Sequence, residues 1–219
     1  MERLTIVTGH YGSGKTEFAV NLAVRDAQRG VAVTLADMDI VNPYFCPRER
    51  MEELAAHGVR VLISESGRYS DLPAISPEVL SLMETDMRGI MDIGGDPIGA
   101  RVLSRFQPQL DKISFDLLFV LNANRPETST AQRAITYLKG VETASKQHIT
   151  GLVSNTHLCT QTAPEDIKKG LQLARQVSVL SGVPIAYTAV ERSMLKKLDF
   201  ALEGEILPMD IFMKKPWEV

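Results

Sequence analysis

The run Gly9-His10-Tyr11-Gly12-Ser13-Gly14-Lys15-Thr16 constrains this 219-residue chain more than any other feature. It fits the pattern G-x-x-x-x-G-K-[ST], and its flanks matter as much as its letters. Before it, Leu4-Thr5-Ile6-Val7 is a short apolar run that reads as a strand. After it, Glu17 to Arg29 places Phe18, Ala19, Leu22, Ala23 and Ala27 at helical spacing. Strand, glycine loop and helix in that order form a phosphate cradle. The glycines let successive backbone N–H groups turn toward phosphate oxygens, and the helix N-terminus adds partial positive charge. On this reading Gly9, Tyr11, Gly12, Ser13, Gly14, Lys15, Thr16 and Glu17 form the nucleotide cradle. Lys15 reaches the β- and γ-phosphates, and the Thr16 hydroxyl binds Mg²⁺.

The rest of the chain repeats the alternation of short apolar runs and amphipathic helices. Strands are expected at 3–8, 32–37, 59–63, 88–93, 116–122, 149–154 and 184–190. Several are apolar throughout, as strands covered on both faces are. A helix near 129–147 is expected to start with a capping box, Ser129-x-x-Gln132. Another near 163–181 opens on Thr162-x-x-Glu165 and stops at Gly182. Repeated β-α units imply an α/β fold: a doubly wound, mainly parallel sheet flanked by helices. With 44% hydrophobic residues, residues 1–219 can bury the core of a single nucleotide-binding domain. The least regular stretch is Ser64–Pro77, a candidate lid or a long connection.

Composition narrows the setting. A net charge of −3 gives no global field for nucleic acid. No apolar run approaches the roughly 18 residues of a spanning helix, and Met1-Glu2-Arg3 leads straight into the first strand. Cys46 and Cys159 form no C-x-x-C, so a cytoplasmic setting with reduced thiols is expected. His57, His148 and His157 lack metal-ligand spacing. Pro208 and Pro216 leave about two turns for any helix near position 212, too little for a membrane-surface anchor, so a strand or arm packed on the core is expected there.

Three acids sit where a parallel sheet presents ligands, at the carboxyl ends of strands. Asp37 and Asp39 end the second strand, and Asp92 ends the fourth in Met91-Asp92-Ile93-Gly94-Gly95. Asp92 reads as a Walker B aspartate holding Mg²⁺, with Thr16 and Asp37 as the other metal-side groups. Gly94-Gly95 lets backbone approach the γ-phosphate. A dinucleotide G-x-G-x-x-G reading needs a glycine where Glu17 stands and leaves Lys15-Thr16 without a role.

These motifs resemble the MinD/ParA/CobQ-type P-loop ATPases of the SIMIBI class, with their deviant Walker A loop. The resemblance runs from the first strand to about Tyr187. It rests on Gly12-Ser13-Gly14-Lys15-Thr16, Asp37-Met38-Asp39 and Asp92-Ile93-Gly94-Gly95. It implies an ATP- and Mg²⁺-dependent protein in which Lys15, Asp39 and Asp37 are the catalytic set and Asp39 orients the attacking water. It also makes Asn155 the adenine reader, with Asn122 as a rival, and Pro184 a residue bordering the base. The family's first lysine, which crosses to a partner's phosphate in dimers, is His10 here, so a homodimer driven by nucleotide in the usual way is not expected. Arg48, Arg50, Arg101, Arg105 and Arg125 are the arginines available to the γ-phosphate.

Three functions fit. The first is a slow ATPase that switches conformation for a protein partner, with 38–50 and 94–105 as the phosphate-sensing segments. The second is an ATP-dependent small-molecule enzyme like dethiobiotin synthetase or the cobyrinate amidases, with Arg68, Tyr69, Asp71 or Arg101 near the acceptor. The third is a module that holds ATP without cleaving it. A GTP reader is disfavoured, because Asn122-Ala123-Asn124-Arg125 lacks the lysine and the acid of N-K-x-D.

Overall fold

The computed structural model describes residues 2–39, 47–63 and 77–213, with the Arg48 side chain outside that set. Eight strands form one sheet: β1 (Leu4–Thr8), β2 (Val33–Met38), β3 (Val59–Ile63), β4 (Arg88–Ile93), β5 (Phe115–Leu121), β6 (Gly151–Ser154), β7 (Ile185–Glu191) and β8 (Glu205–Met209). Their order is β3-β2-β4-β1-β5-β6-β7-β8, and every neighbouring pair is parallel. The central strands β1, β2 and β4 are buried at every position, whereas the edge strands β3 and β8 are partly exposed. That contrast is what helices on both faces impose. Pro208, which cannot donate to a ladder, is tolerated because β8 is an edge strand.

The helices are α1 (Lys15–Gln28), α2 (Met51–Ala56), α3 (Pro77–Glu84), α4 (Pro97–Ala100), α5 (Gln107–Leu110), α6 (Ala131–Ser145) and α7 (Pro164–Ser181). α1 and α2 pack on one face through Phe18, Leu22 and Leu54. The other face is covered by α6 and α7 through Leu138, Val141, Ala174 and Val177. The lower end of α1 is fixed by a buried ion pair. Arg88 Nε on β4 donates to Asp26 Oδ2 at 2.8 Å, and its Nη1 reaches Thr5 Oγ1 at 2.9 Å. This pair fixes the helix against β1 and β4 from the end opposite the glycine loop.

All seven expected strands form, with boundaries within two residues, and the expected arm beyond position 205 is the strand β8 followed by an ordered segment to Met213. Neither expected capping box forms, and each helix is instead capped one residue later. Pro126–Thr128 makes a 3₁₀ turn that runs into Ser129, so the extended residue is Thr130, and its Oγ1 accepts the Arg133 N–H. At α7, Pro164 takes the first helical position and leaves Ala163 as the cap. Asp166 Oδ2 then accepts the Ala163 N–H at 2.9 Å, while the Thr162 hydroxyl turns back to Cys159 O. Gly182 ends α7 with a φ of 77°, as expected.

Candidate functional site

β1 has β4 on one side and β5 on the other, so the chain reverses direction across the sheet at β1. Such a switch point leaves a crevice beyond the strand ends, and Gly9–Thr16 fills it. Register brings the acids to the same level. Val7 pairs with Asp92 and Asp92 with Asp37, so one row crosses three strands directly beneath the loop.

The loop is braced from behind by side chains from β5 and β6. Arg125 Nε donates to Gly12 O at 2.8 Å, and Asn122 Nδ2 to the same carbonyl at 3.3 Å. Asn155 Nδ2 donates to Ser13 O at 2.9 Å. With these carbonyls held outward, the peptide N–H groups of the loop are free to face a ligand. Gly14 sits at φ 83°, and a Cβ there would strike Asn155 Nδ2. His157 packs beside the same glycine. Burial and then the Arg125 guanidinium hold its pKa below the usual histidine range.

In front of the loop lies the charged cluster. Lys15 Nζ is 2.6 Å from Asp39 Oδ2, and both side chains are almost wholly buried. Burial works against the Lys15 ammonium, but Asp92, Asp39 and Asp37 outweigh it, and its pKa is raised. Thr16 Oγ1 donates to Asp92 Oδ2 at 2.5 Å. Asp92 is fully buried, and burial pushes its pKa up to about 7 against the pull of Lys15 and Thr16. Its Oδ1 has no hydrogen-bond partner among the described residues. Asp37 Oδ1 accepts the Asp39 N–H at 3.3 Å and so orients the second acid.

An unsatisfied carboxylate oxygen beside a hydroxyl fits a Mg²⁺ site, because Mg²⁺ takes one or two protein oxygens and leaves the rest to water and phosphate. Among the described residues no group of three or more His, Cys, Asp or Glu is arranged to hold a metal by itself.

Gly95 closes the site. A Cβ on it would overlap Gly9 O, so the loop behind β4 rests on the phosphate loop by backbone alone. Gly95→Ala must drive the two apart. Its expected result is a nucleotide affinity lowered at least tenfold with the secondary structure intact, read by titration calorimetry and circular dichroism. Unchanged affinity would show that this contact plays no part in binding.

The structure does not bring every expected residue to this place. Pro184 stands at the start of β7, where its carbonyl accepts the Leu152 N–H at 2.8 Å. Parallel strands put that end at the sheet edge opposite the phosphate loop, so Pro184 cannot border a base read by Asn155. The segment leaving β7 on the Asn155 side is Arg192–Met194. Arg101 is exposed at the start of a 3₁₀ turn, and Arg105 is exposed too. Arg50 lies 3.6 Å from Glu53. Residues 40–46, which include Cys46 and the middle of the first sensing segment, and 64–76, with Arg68, Tyr69 and Asp71, lie outside the described residues. His10 turns toward its own chain. Its Nδ1 donates to Tyr11 O at 2.8 Å, Nε2 lies 3.6 Å from Glu127 Oε2, and its ring meets Tyr137 edge-on. The bracing roles of Arg125 and His157 were not legible beforehand, because no local pattern says that the turns after β5 and β6 fold over the loop.

No family model and no curated protein matches the chain. Solved structures do. Chloroplast FtsY from Physcomitrella patens aligns with a TM-score of 0.55 at 16% identity, covering 86% of this chain and 58% of its own. Cell division protein FtsY from Thermotoga maritima gives 0.54 at 19%, covering 85% and 61%. The signal recognition particle receptor FtsY of Elizabethkingia anophelis, in complex with GDP, gives 0.52 at 19%, covering 87% and 57%. The chain thus spans about three fifths of these proteins. At such identities the likeness is one of fold, and that fold is the P-loop NTPase fold.

Proposed function

We propose that this chain binds ATP with Mg²⁺ at Gly9–Thr16 and hydrolyses it slowly, changing conformation for a protein partner. The observation that carries the proposal is the buried cluster of Lys15, Asp39, Asp92 and Thr16 in front of a braced phosphate loop. Phosphoryl transfer to water needs positioning and charge neutralisation more than covalent chemistry. The metal, when bound, neutralises phosphate charge. Thr16 and Asp92 would hold it, with Asp37 behind them. Lys15 exchanges its bond to Asp39 for one to a phosphate oxygen. That exchange frees the Asp39 carboxylate, aimed by the Asp37 contact, to orient water and take its proton.

Of the two asparagines Asn155 is the better base reader, because the only side-chain bond it makes among the described residues is the one to Ser13 O. Asn122 is wholly buried, with its amide committed to Gly12 O, His157 O and the Asn124 N–H. Guanine recognition calls for an acid, and Asn155-Thr156-His157-Leu158 offers none. His10, engaged with Tyr137 and Glu127, supports binding without a dimer bridged by the family's lysine.

Asp39→Ala should keep ATP affinity within about threefold and lower turnover at least a hundredfold, the scale of a lost acid–base group. Phosphate release alongside binding checks this, and equal turnover would remove Asp39 from the mechanism. A parallel titration with GTP tests the choice of base.

One observation favours a second reading. An open groove of about 650 Å³ between α4 and α6 is lined by Pro97, Glu127, Arg133 and Tyr137, next to His10. If it is an acceptor site for a small-molecule enzyme, phosphate release will rise sharply when polar acceptors are supplied and will be negligible without them.

A further inference from the structure

The first turn of α1 is bonded to a segment nearly two hundred positions away. Glu17 Oε1 accepts the Phe212 N–H at 2.8 Å, and Oε2 accepts the Met213 N–H at 3.0 Å. One turn further along, Asn21 makes a reciprocal pair with the backbone of Asp210. Its Nδ2 donates to the carbonyl at 2.9 Å, and its Oδ1 accepts the N–H at 2.7 Å. Phe212 and Met213 are buried, and the Phe212 ring meets His57 edge-on beyond α2. The segment after β8 is therefore laid across α1, with backbone bonds rather than side-chain packing alone.

Glu17 directly follows Thr16 and shares a helical turn with Lys15. Glu17 is half-buried, and the segment supplies two of the hydrogen bonds that its carboxylate accepts; a carboxylate that keeps its cover but loses a donor is destabilised. Apart from the two N–H groups of the 210–213 segment, the hydrogen-bond donor to the Glu17 carboxylate among the described residues is Asn21 Nδ2 at 3.4 Å, with Arg50 attracting it electrostatically. When the segment lifts away, the first two turns of α1 lose the bonds at Glu17 and the reciprocal pair at Asn21 that hold them in place, and the N-terminal turn is freer to unwind. That turn carries Lys15 and Thr16. Docking of 210–213 and grip on a phosphate thus demand the same conformation, and two events that demand one conformation reinforce each other.

We propose that Glu17 is a positioning residue that couples the segment Asp210–Met213 to the phosphate loop, so that docking of this segment and nucleotide binding strengthen each other. The proposal rests on the nucleotide-binding reading above, and it names a place where the switch can be read or driven.

The test removes a donor from the far side of the contact and leaves α1 untouched. Met213→Pro deletes the N–H that Glu17 accepts, whereas Met213→Ala keeps it while trimming the side chain. Both are made in the full chain and titrated with a fluorescent ATP analogue and Mg²⁺. Met213→Pro should bind roughly tenfold more weakly, the scale of a lost bond to a charged group, and Met213→Ala within about twofold. Adding Glu17→Gln to Met213→Pro should recover most of the loss, because no charge is then left short of donors. The reciprocal effect needs no variant: saturating nucleotide should slow hydrogen exchange at the Phe212 and Met213 amides about tenfold in the unaltered chain. Equal affinity of the proline and alanine variants overturns the proposal. So does a loss that Glu17→Gln leaves in place, and so does exchange that nucleotide does not slow. Failure of the nucleotide reading itself is separate, since the unaltered chain would then bind no analogue.

Discussion

Lys15→Ala is expected to abolish stabilisation by Mg-ATP and, in the same protein, to lower the unfolding midpoint of the ligand-free chain by roughly 6–20 °C. The two effects have one cause. Lys15 is the cation of a cluster in which Asp39 touches it at 2.6 Å and Asp92 and Asp37 add their fields. Removing one partner of a buried pair costs about 3–5 kcal/mol, because the other is left charged and uncompensated. Each kcal/mol moves the midpoint by about 2–4 °C for a chain of this size. Phosphate binding then loses both its lysine and a well-formed first turn of α1. Differential scanning fluorimetry with and without Mg-ATP reads both numbers. A variant that Mg-ATP still stabilises as well as the parent would end the phosphate-loop assignment. A variant as stable as the parent without ligand would show that the cluster is not held by its lysine.

Asp92→Asn is expected to do the reverse to stability while also ending Mg-dependent binding. Asp92 is fully buried, and its pKa is raised from 3.8 to about 7. A raised carboxyl pKa means that the folded chain binds the proton more tightly than the unfolded chain. The contribution of Asp92 to stability is therefore greatest below about pH 4 and is lost as pH rises toward 7. Asparagine removes the charge but keeps an oxygen that accepts the Thr16 hydroxyl. At pH 8 the ligand-free variant should melt roughly 2–6 °C higher, and its stability should fall less steeply between pH 4 and 7. Its affinity for ATP should no longer respond to Mg²⁺. A lower melting point at pH 8 would mean that the attraction between Asp92 and Lys15 outweighs the cost of burying the acid. A site that stores instability in a buried acid with one oxygen left unsatisfied is a common form of trade between stability and function.

The strands and the phosphate loop were legible because their signals are local. A glycine pattern between an apolar run and an amphipathic helix, or Asp92 at the end of Gly89-Ile90-Met91, needs nothing from the rest of the chain. The acids converged as expected because all strands are parallel, so every strand's last residue lies at one edge. Pro184 failed by the same rule, for it begins its strand. The helix caps slipped by one residue because a 3₁₀ turn at Pro126–Thr128 and the fixed φ of Pro164 decide which residue is extended. Arg88 with Asp26, Arg125 on Gly12 and Glu17 on Phe212 and Met213 were beyond reach. Each joins positions far apart in sequence, and no propensity of either partner announces the other.

The seam between Gly9 and Gly95 has a mechanical consequence. Where side chains separate two loops, a rotamer change can absorb a small displacement of either. Here there is no side chain on either side to yield, so the contact has no slack. On the proposed reading, a shift of the phosphate loop on gaining or losing a ligand would press on the peptide behind β4 through this seam, and from Gly94 on the closely packed Gly99 in α4. Gly9, Gly95, Gly94 and Gly99 form one row of backbone contacts from the phosphate loop into α4, with no side chain between them.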